Sequence, residues 1–239
     1  MQLFELTLDS PEENLALDEA LLEEAEAADA PRETLRLWES PTPVVVLGRS
    51  SQAASEVDLA ACQERRVPVL RRTSGGAAVV AGRGCLMYAV VLSYRLRPAL
   101  RALDEAHRLV LETTLGALRP LIGGVTRQGT SDLVLGEYKF SGNSLRCKQH
   151  SFLYHGTLLY DFALPLLDEL LTMPPRQPDY RRSRPHRNFV ANLPVGRPLL
   201  RDAIVAAWQA RETGRDWPQA RVRELVAARY SQSRWNLQR

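Results

Sequence analysis

The chain has 239 residues, 45% of them hydrophobic and 25% charged, with a formal net charge of +3. That is the composition of a folded globular protein, and it excludes a disordered chain, a collagen-like repeat and a disulfide scaffold. The mild positive charge does not point to nucleic acid; it suits a partner with an acidic surface, because charge acts mainly on encounter rate and solubility.

No stretch approaches the ~18 uninterrupted apolar residues of a membrane span. The N-terminal MQLFELTLDS lacks the basic and long apolar regions of a secretory signal. Cys62, Cys85 and Cys147 form no C-x-x-C pair and no zinc-ligand spacing. Sparse, odd cysteine usage fits a reducing compartment, so a cytoplasmic location is expected. Of the 31 basic residues only Lys139 and Lys148 are lysines. A lysine retained against such an arginine bias marks a site where a guanidinium cannot serve, since the two cations differ in shape and hydration.

Taken in chain order, Ser10-Pro11-Glu12-Glu13 carries the signature of a capped helix start, and Glu13 to Ala28 is rich in helix formers with Leu17, Ala20, Leu21 and Ala25 on one stripe. Residues 35–40 and 44–48 read as strands, 55–66 as a short helix and 67–72 as a strand. A small, glycine-rich segment from Thr73 precedes an apolar strand at 87–94. A helix is predicted from about Pro98 to Leu118, with Leu100, Leu103, His107, Val110, Leu111 and Leu118 at near-helical spacing. Residues 131–144 read as a hairpin turning at Gly136-Glu137, 151–160 as a strand and 164–171 as a short helix. An extended, Pro- and Arg-rich loop covers 174–198. Helices near 199–212 and 218–230 end the chain, the second starting from Asp216. Strands come in groups, which favours an α+β sheet with helices packed on it.

Three places could carry chemistry. In Arg71-Arg72-Thr73-Ser74-Gly75-Gly76-Ala77-Ala78 a strand delivers two arginines into a turn whose amides can form an anion-binding nest; the plainer reading is a tight turn with two exposed arginines. Lys139, in Tyr-Lys-Phe-Ser-Gly, would point by strand alternation to the face opposite Tyr138 and Phe140. Lining a pocket, its ammonium could hold a carboxylate and then a phosphate oxygen; otherwise it is a surface lysine, as Lys148 is expected to be. His155-Gly156-Thr157 interrupts an apolar strand, and the histidine is a core residue or a pocket residue. His107 and His186 read as structural or solvent-exposed, and the three cysteines as buried and inert.

In this order the motifs resemble the lipoate–protein ligase A family of the biotin/lipoate ligase superfamily. The matching segments are Asn14-Leu15-Ala16-Leu17-Asp18-Glu19-Ala20-Leu21, Val46-Leu47-Gly48-Arg49, Arg71-Arg72-Thr73-Ser74-Gly75-Gly76, Ser131-Asp132 with Lys139-Phe140-Ser141-Gly142, and His155-Gly156-Thr157-Leu158-Leu159. The resemblance covers about residues 10–195. It implies a mixed, largely antiparallel sheet with flanking helices, related to class II synthetases. It also implies one catalytic domain over residues 1–239, with no separate C-terminal accessory domain. The implied reaction is attack of the lipoate carboxylate on the α-phosphate of ATP, with Mg²⁺, followed by transfer of the lipoyl group to a lysine of a lipoyl-accepting domain. That acceptor would be a 2-oxoacid dehydrogenase E2 or a glycine cleavage H-type protein. The resemblance also implies a second polypeptide in place of the accessory domain of longer ligases.

Carried over residue by residue, Lys139 matches the lysine that contacts the acyl-adenylate. Arg72 and the Ser74–Ala78 turn (Ser74, Gly75, Gly76, Ala77, Ala78) match the segment around the lipoyl and phosphate portion. Asp132 matches an acidic residue near the adenine side, Ser141 and Gly142 follow the lysine, and His155, Gly156 and Thr157 match the strand beside the acyl pocket. The sequence departs from the family at Ala77, at Val80-Ala81-Gly82 and at Cys85, where a glycine, an aromatic-His-Asp and an asparagine are usual. Two other readings are an octanoyl or lipoyl transferase carrying the acyl group on a cysteine without ATP, and a non-catalytic lipoate-binding subunit. The transferase ranks lower because no cysteine lies between Ile122 and Tyr138, where one such group places it. Biotin ligation ranks lower still.

Overall fold

In the computed structural model, which describes residues 1–212 and 216–237, strands and helices are grouped rather than alternating. The chain opens with β1 (Gln2–Glu5) and α1 (Pro11–Ala27). The capping box is present: Glu13 N donates to Ser10 Oγ and Ser10 N donates to the Glu13 carboxylate. β2 (Thr34–Trp38) and β3 (Val44–Leu47) follow.

The helix expected at 55–66 is two pieces, α2 (Ala53–Glu56) and α3 (Leu59–Glu64). Val57 between them is extended and bridges to Leu171, and Asp58 restarts the helix by accepting from Ala61 N. After β4 (Val69–Arg71), β5 (Val79–Ala81) and β6 (Cys85–Ser93), a 3₁₀ turn at Pro98–Arg101 leads into α4 (Leu103–Leu118). The turn shifts the phase of the helix, so Leu103 is exposed instead of joining the buried stripe. β7 (Val125–Gln128), β8 (Asp132–Leu135) and β9 (Tyr138–Cys147) contain the expected hairpin, with Gly136 at φ +61°.

β10 (Ser151–Leu159), α5 (Pro165–Leu170) and α6 (Arg197–Ala207) come next. α6 stops earlier than expected because Gln209 is left-handed at φ +48°, and residues 211–212 form a strand, β11 (Arg211–Glu212). α7 (Gln219–Leu225) is preceded by Pro218 rather than capped by Asp216, and runs into one π turn. α8 (Ser233–Leu237), which the sequence pattern does not announce, closes the described chain.

Among the described residues, one sheet has eight strands in the order β11-β1-β2-β6-β10-β9-β8-β7, parallel only where β1 meets β2 and β11. A small second sheet has the order β4-β3-β5. β6 and β10 are buried along their whole length, because the large sheet is covered on both faces. Met87, Ala89 and Val91 of β6 pack with α1 and the small sheet, whereas Leu86, Tyr88, Val90 and Leu92 pack with α4 and α6. The fold is therefore α+β with a mixed, mostly antiparallel sheet. The side carrying α1 and the small sheet holds the site.

Candidate active site

Lys139 reaches this side through a break in the strand pattern. Asp132 pairs with Gly142 and Leu133 with Ser141, but Val134 pairs with Lys139, so Phe140 is the extra residue of a β-bulge. In an unbroken ladder Lys139 would stand opposite Leu135, on the face away from Asp132. The bulge turns it onto the face of Asp132 and leaves Phe140 in the core, 1% exposed. Lys139 and Phe140 therefore stand on opposite faces, as alternation predicts, and the bulge decides which face the lysine takes.

The Lys139 Nζ then lies 2.7 Å from Asp132 Oδ1. Asp132 Oδ2 accepts from the Tyr180 hydroxyl at 2.7 Å. Burial pushes the Tyr180 phenol up, with the Asp132 charge acting in the same direction. The backbone of Lys139 is held on its other side, its N–H donating to Phe189 O and its carbonyl accepting from Ala191 N.

Arg71 and Arg72 are buried at 1% and 8%, not exposed as the plainer sequence reading had them. Arg72 donates to Ser74 Oγ, Val46 O, Gly75 O and Ala77 O. Burial lowers its pKa to about 10, partly opposed by Glu56, so it remains a cation at neutral pH. Arg71 ties Gly48 O and Ser51 O to the carbonyls of Trp235 and Asn236. Both forks brace backbone. Glycine is required beneath the turn: a Cβ on Gly48 would stand 1.8 Å from Gly76 O, and Gly76 itself has φ +87°. Within the turn, the Ala78 amide already donates to the Glu56 carboxylate at 2.7 Å.

His155 is one link of a buried chain. Its Nε2 is 2.6 Å from Ser74 Oγ, and its Nδ1 faces Asp18 Oδ2 at 3.6 Å. Asp18 in turn meets Arg36 at 2.6 Å. A carboxylate beside Nδ1 favours the proton there, which leaves Nε2 to accept from the Ser74 hydroxyl. The order Ser-His-Asp is that of a nucleophile triad, but Ser74 is 1% exposed and accepts from Arg72 Nε. The chain therefore locks the turn against α1.

Two cavities meet at Lys139, of about 390 and 140 Å³. The larger falls within the usual span of small-molecule sites, about 300–1,000 Å³. Of the residues singled out in the sequence, Arg72, Gly76, Ala77, Ala78, Asp132, Lys139, Gly142, His155, Gly156 and Thr157 line it. Ser141 lines the smaller one. Ser74 and Gly75 line neither and stand behind the wall. Leu15, Met87, Asn143 and Arg176 also face the larger cavity, and Glu56 and His186 the smaller.

Asn143 crosses over Gly156, where a Cβ would meet its Oδ1 at 1.8 Å, and bonds Tyr88, Ser131 and Ser141. His186, expected at the surface or in a structural role, is buried, and its Nε2 is 3.2 Å from Thr172 O. Burial lowers its pKa.

The carboxylates on the cavity walls, Asp132 and Glu56, are engaged as described, and no cluster of three or more His, Cys, Asp or Glu among the described residues could hold a metal. No helix among the described residues is long and apolar enough to cross a membrane.

Known proteins resemble this chain in sequence and in fold. The family described as "Lipoyl protein ligase A/B catalytic domain" matches residues 10–209. A protein of Aeropyrum pernix named for lipoate-protein ligase A is 37% identical over 151 residues, 63% of this chain and 54% of the relative. The chain thus spans about half the length of that relative. The octanoyltransferase LipM of Symbiobacterium thermophilum is 28% identical over 262 residues, covering 95% and 94% of the two chains. A bi-partite lipoate protein ligase of Thermoplasma acidophilum, studied with its E2 lipoyl domain, superposes with a TM-score of 0.84 at 24% identity, over 100% and 97% of the chains. A lipoate-protein ligase A structure with bound ATP superposes at 0.82 with 23% identity, over 99% and 98%. At these identities the likeness of the solved structures is one of fold. With the family match spanning most of its length, the chain belongs to the lipoyl protein ligase A/B catalytic-domain family.

Proposed function

We propose that this chain is an ATP-dependent lipoate–protein ligase, which activates lipoate as lipoyl-adenylate and transfers it to a lysine of a lipoyl-accepting domain. The observation that carries this reading is Lys139, held by Asp132 at 2.7 Å where the two cavities join. A carboxylate does not acylate an amine at neutral pH; adenylation gives it a good leaving group. A lipoate oxygen attacks the α-phosphorus of ATP, which enters with its Mg²⁺ as substrate, and the bond to the β-phosphate oxygen breaks to release pyrophosphate. The acceptor amine then attacks the acyl carbonyl, and AMP leaves.

Through both steps negative charge gathers on oxygens near one point. An ammonium has three donors. One is committed to Asp132, and two remain for the carboxylate and the α-phosphate. Asp132, fixed by Tyr180, holds the ammonium in place, so little reorganisation accompanies the reaction. The larger cavity would take the acyl chain along Leu15, Val46, Val79 and Met87, with His155 and Arg72 keeping its wall rigid. The smaller cavity, between β5, α5 and the 174–190 loop, would take the adenine side. The bi-partite ligase among the structural neighbours supports an acceptor lipoyl domain and a second polypeptide as partners.

The transferase reading needs a cysteine at the reacting carbonyl. Cys62 and Cys85 are buried and their thiols are pushed up by burial. Cys147 lies eight residues along β9 from Lys139, roughly 25 Å at the ordinary strand rise. None of the three lines either cavity.

The deciding experiment is lipoate-dependent ATP–pyrophosphate exchange, run with lipoate, octanoate and biotin, together with transfer from synthetic lipoyl-adenylate to a lipoyl domain. Exchange and transfer with lipoate are the expected result. Acyl transfer from an acyl-carrier protein without ATP would establish the transferase, and lipoate binding with neither exchange nor transfer would leave a binding subunit.

A further inference from the structure

We infer that Arg176, in the proline-rich loop over the site, is the cation that binds the phosphates of the nucleotide; this deepens the ligase reading and rests on it. Four cations line the two cavities: Arg72, Lys139, Arg176 and Arg181. Each of the other three is held by protein atoms in whole or in part. Arg72 is spent on Ser74 and three carbonyls. Lys139 is paired with Asp132. Arg181 is buried, donates to Arg184 O and Met173 Sδ, and lies 4.8 Å from the centre of the Phe189 ring. Arg176 has no hydrogen bond or ion pair with any described residue.

Its place in the fold is equally specific. A third cavity, of about 560 Å³, opens beside the first two under Ser50, Ser51 and Gln52. Among the described residues, only Ala77 and Arg176 line all three. A guanidinium there can reach any group that passes between the cavities. Pro174, Pro175 and Pro178 flank it, restricting the backbone that carries it. The Tyr180–Asp132 bond ties the same loop to the Lys139 pair. Nucleotide phosphates would therefore lie between a compact ammonium and a planar fork.

The charge balance requires such a group. Lys139 and Asp132 cancel as a pair, and Glu56 adds a negative charge to the wall. Arg72 and Arg181 supply positive charge, but their donors point at protein atoms. A polyphosphate needs donors that are free, and Arg forks match phosphate geometry in pairs of parallel bonds. Arg176 supplies them.

The test is direct titration of the full chain with ATP and, separately, with lipoate, for wild type, Arg176→Ala and Arg176→Lys. ATP–pyrophosphate exchange is measured on the same samples. Arg176→Ala should weaken ATP binding at least tenfold and leave lipoate binding within twofold; Arg176→Lys should recover part of the loss. ATP affinity unchanged in Arg176→Ala overturns the inference, and if exchange persists the ligase reading survives alone. ATP binding that depends on Arg176 without any exchange in the wild type upholds the phosphate site and removes the ligase reading. A wild type that binds no ATP removes both.

Discussion

A Cβ built on Gly142 would stand 3.0 Å from the Nζ of Lys139 and 3.1 Å from its Cε. The glycine is the surface across which the lysine lies on its way to Asp132. The obstructed atoms are the far end of a flexible side chain, so Gly142→Ala should fold with stability near that of wild type. It should nevertheless push the ammonium off Asp132. We expect a 10- to 100-fold loss of lipoylation rate, of the order a small misplacement costs a positioned group. A time course of acceptor modification checks this. A rate equal to wild type would mean that the position of Nζ is immaterial.

Lys139→Ala should abolish modification of the acceptor while circular dichroism and the melting temperature stay near wild type, since the side chain is 27% exposed and packs no core. Lys139→Arg should fail as well. The guanidinium is planar and longer than an ammonium, and it would have to share with Asp132 a space already limited by Gly142. Intact-mass analysis of the acceptor gives a direct readout of both variants.

Cys147→Ser should retain full acyl transfer. The thiol is half-buried at the far end of β9, and no other cysteine comes to the cavities. If this single change stopped transfer, the acyl group would have to travel through a thioester, and the adenylate route would be wrong.

How much of this arrangement could be read from the chain depended on how local each feature is. The capping box at Ser10, the turn at Gly136 and the apolar strands β6 and β10 follow from neighbours in sequence, and they appear where the pattern puts them. The bulge at Phe140 depends on a mismatch with β8, and no spacing within β9 announces it. Arg71 and Arg72 look like surface charges because the carbonyls that bury them come from Val46, Gly48, Ser51 and Trp235, remote in sequence. Arg176 and His186 sit in a loop without periodicity, so composition alone gave them no weight. Lysine scarcity was the one compositional signal that singled out a cavity residue.

The Arg36–Asp18 pair offers a test of the brace behind the site. Both side chains are buried, and Arg36 also donates to Leu6 O, Asn14 O and Asn14 Oδ1. Burial alone would push the Asp18 carboxyl up; the Arg36 charge, with His155, more than offsets it, and the carboxyl is held below its usual range. In the wild type the unfolded chain therefore binds a proton more readily than the folded one. The pair's stabilisation is present above the ordinary aspartate pKa of about 3.9 and is lost as pH falls through the lower folded value. Arg36→Met removes the cation and leaves burial in control. We expect a loss of about 3–5 kcal/mol at neutral pH, the usual cost of stranding a buried charge. The pH dependence should also reverse. With Asp18 now raised above its unfolded value, the variant should gain stability as pH falls toward about 4, while the wild type loses it below that point. Urea unfolding across pH 3–8 separates the two slopes. Equal slopes would show that Arg36 does not set the ionisation of Asp18.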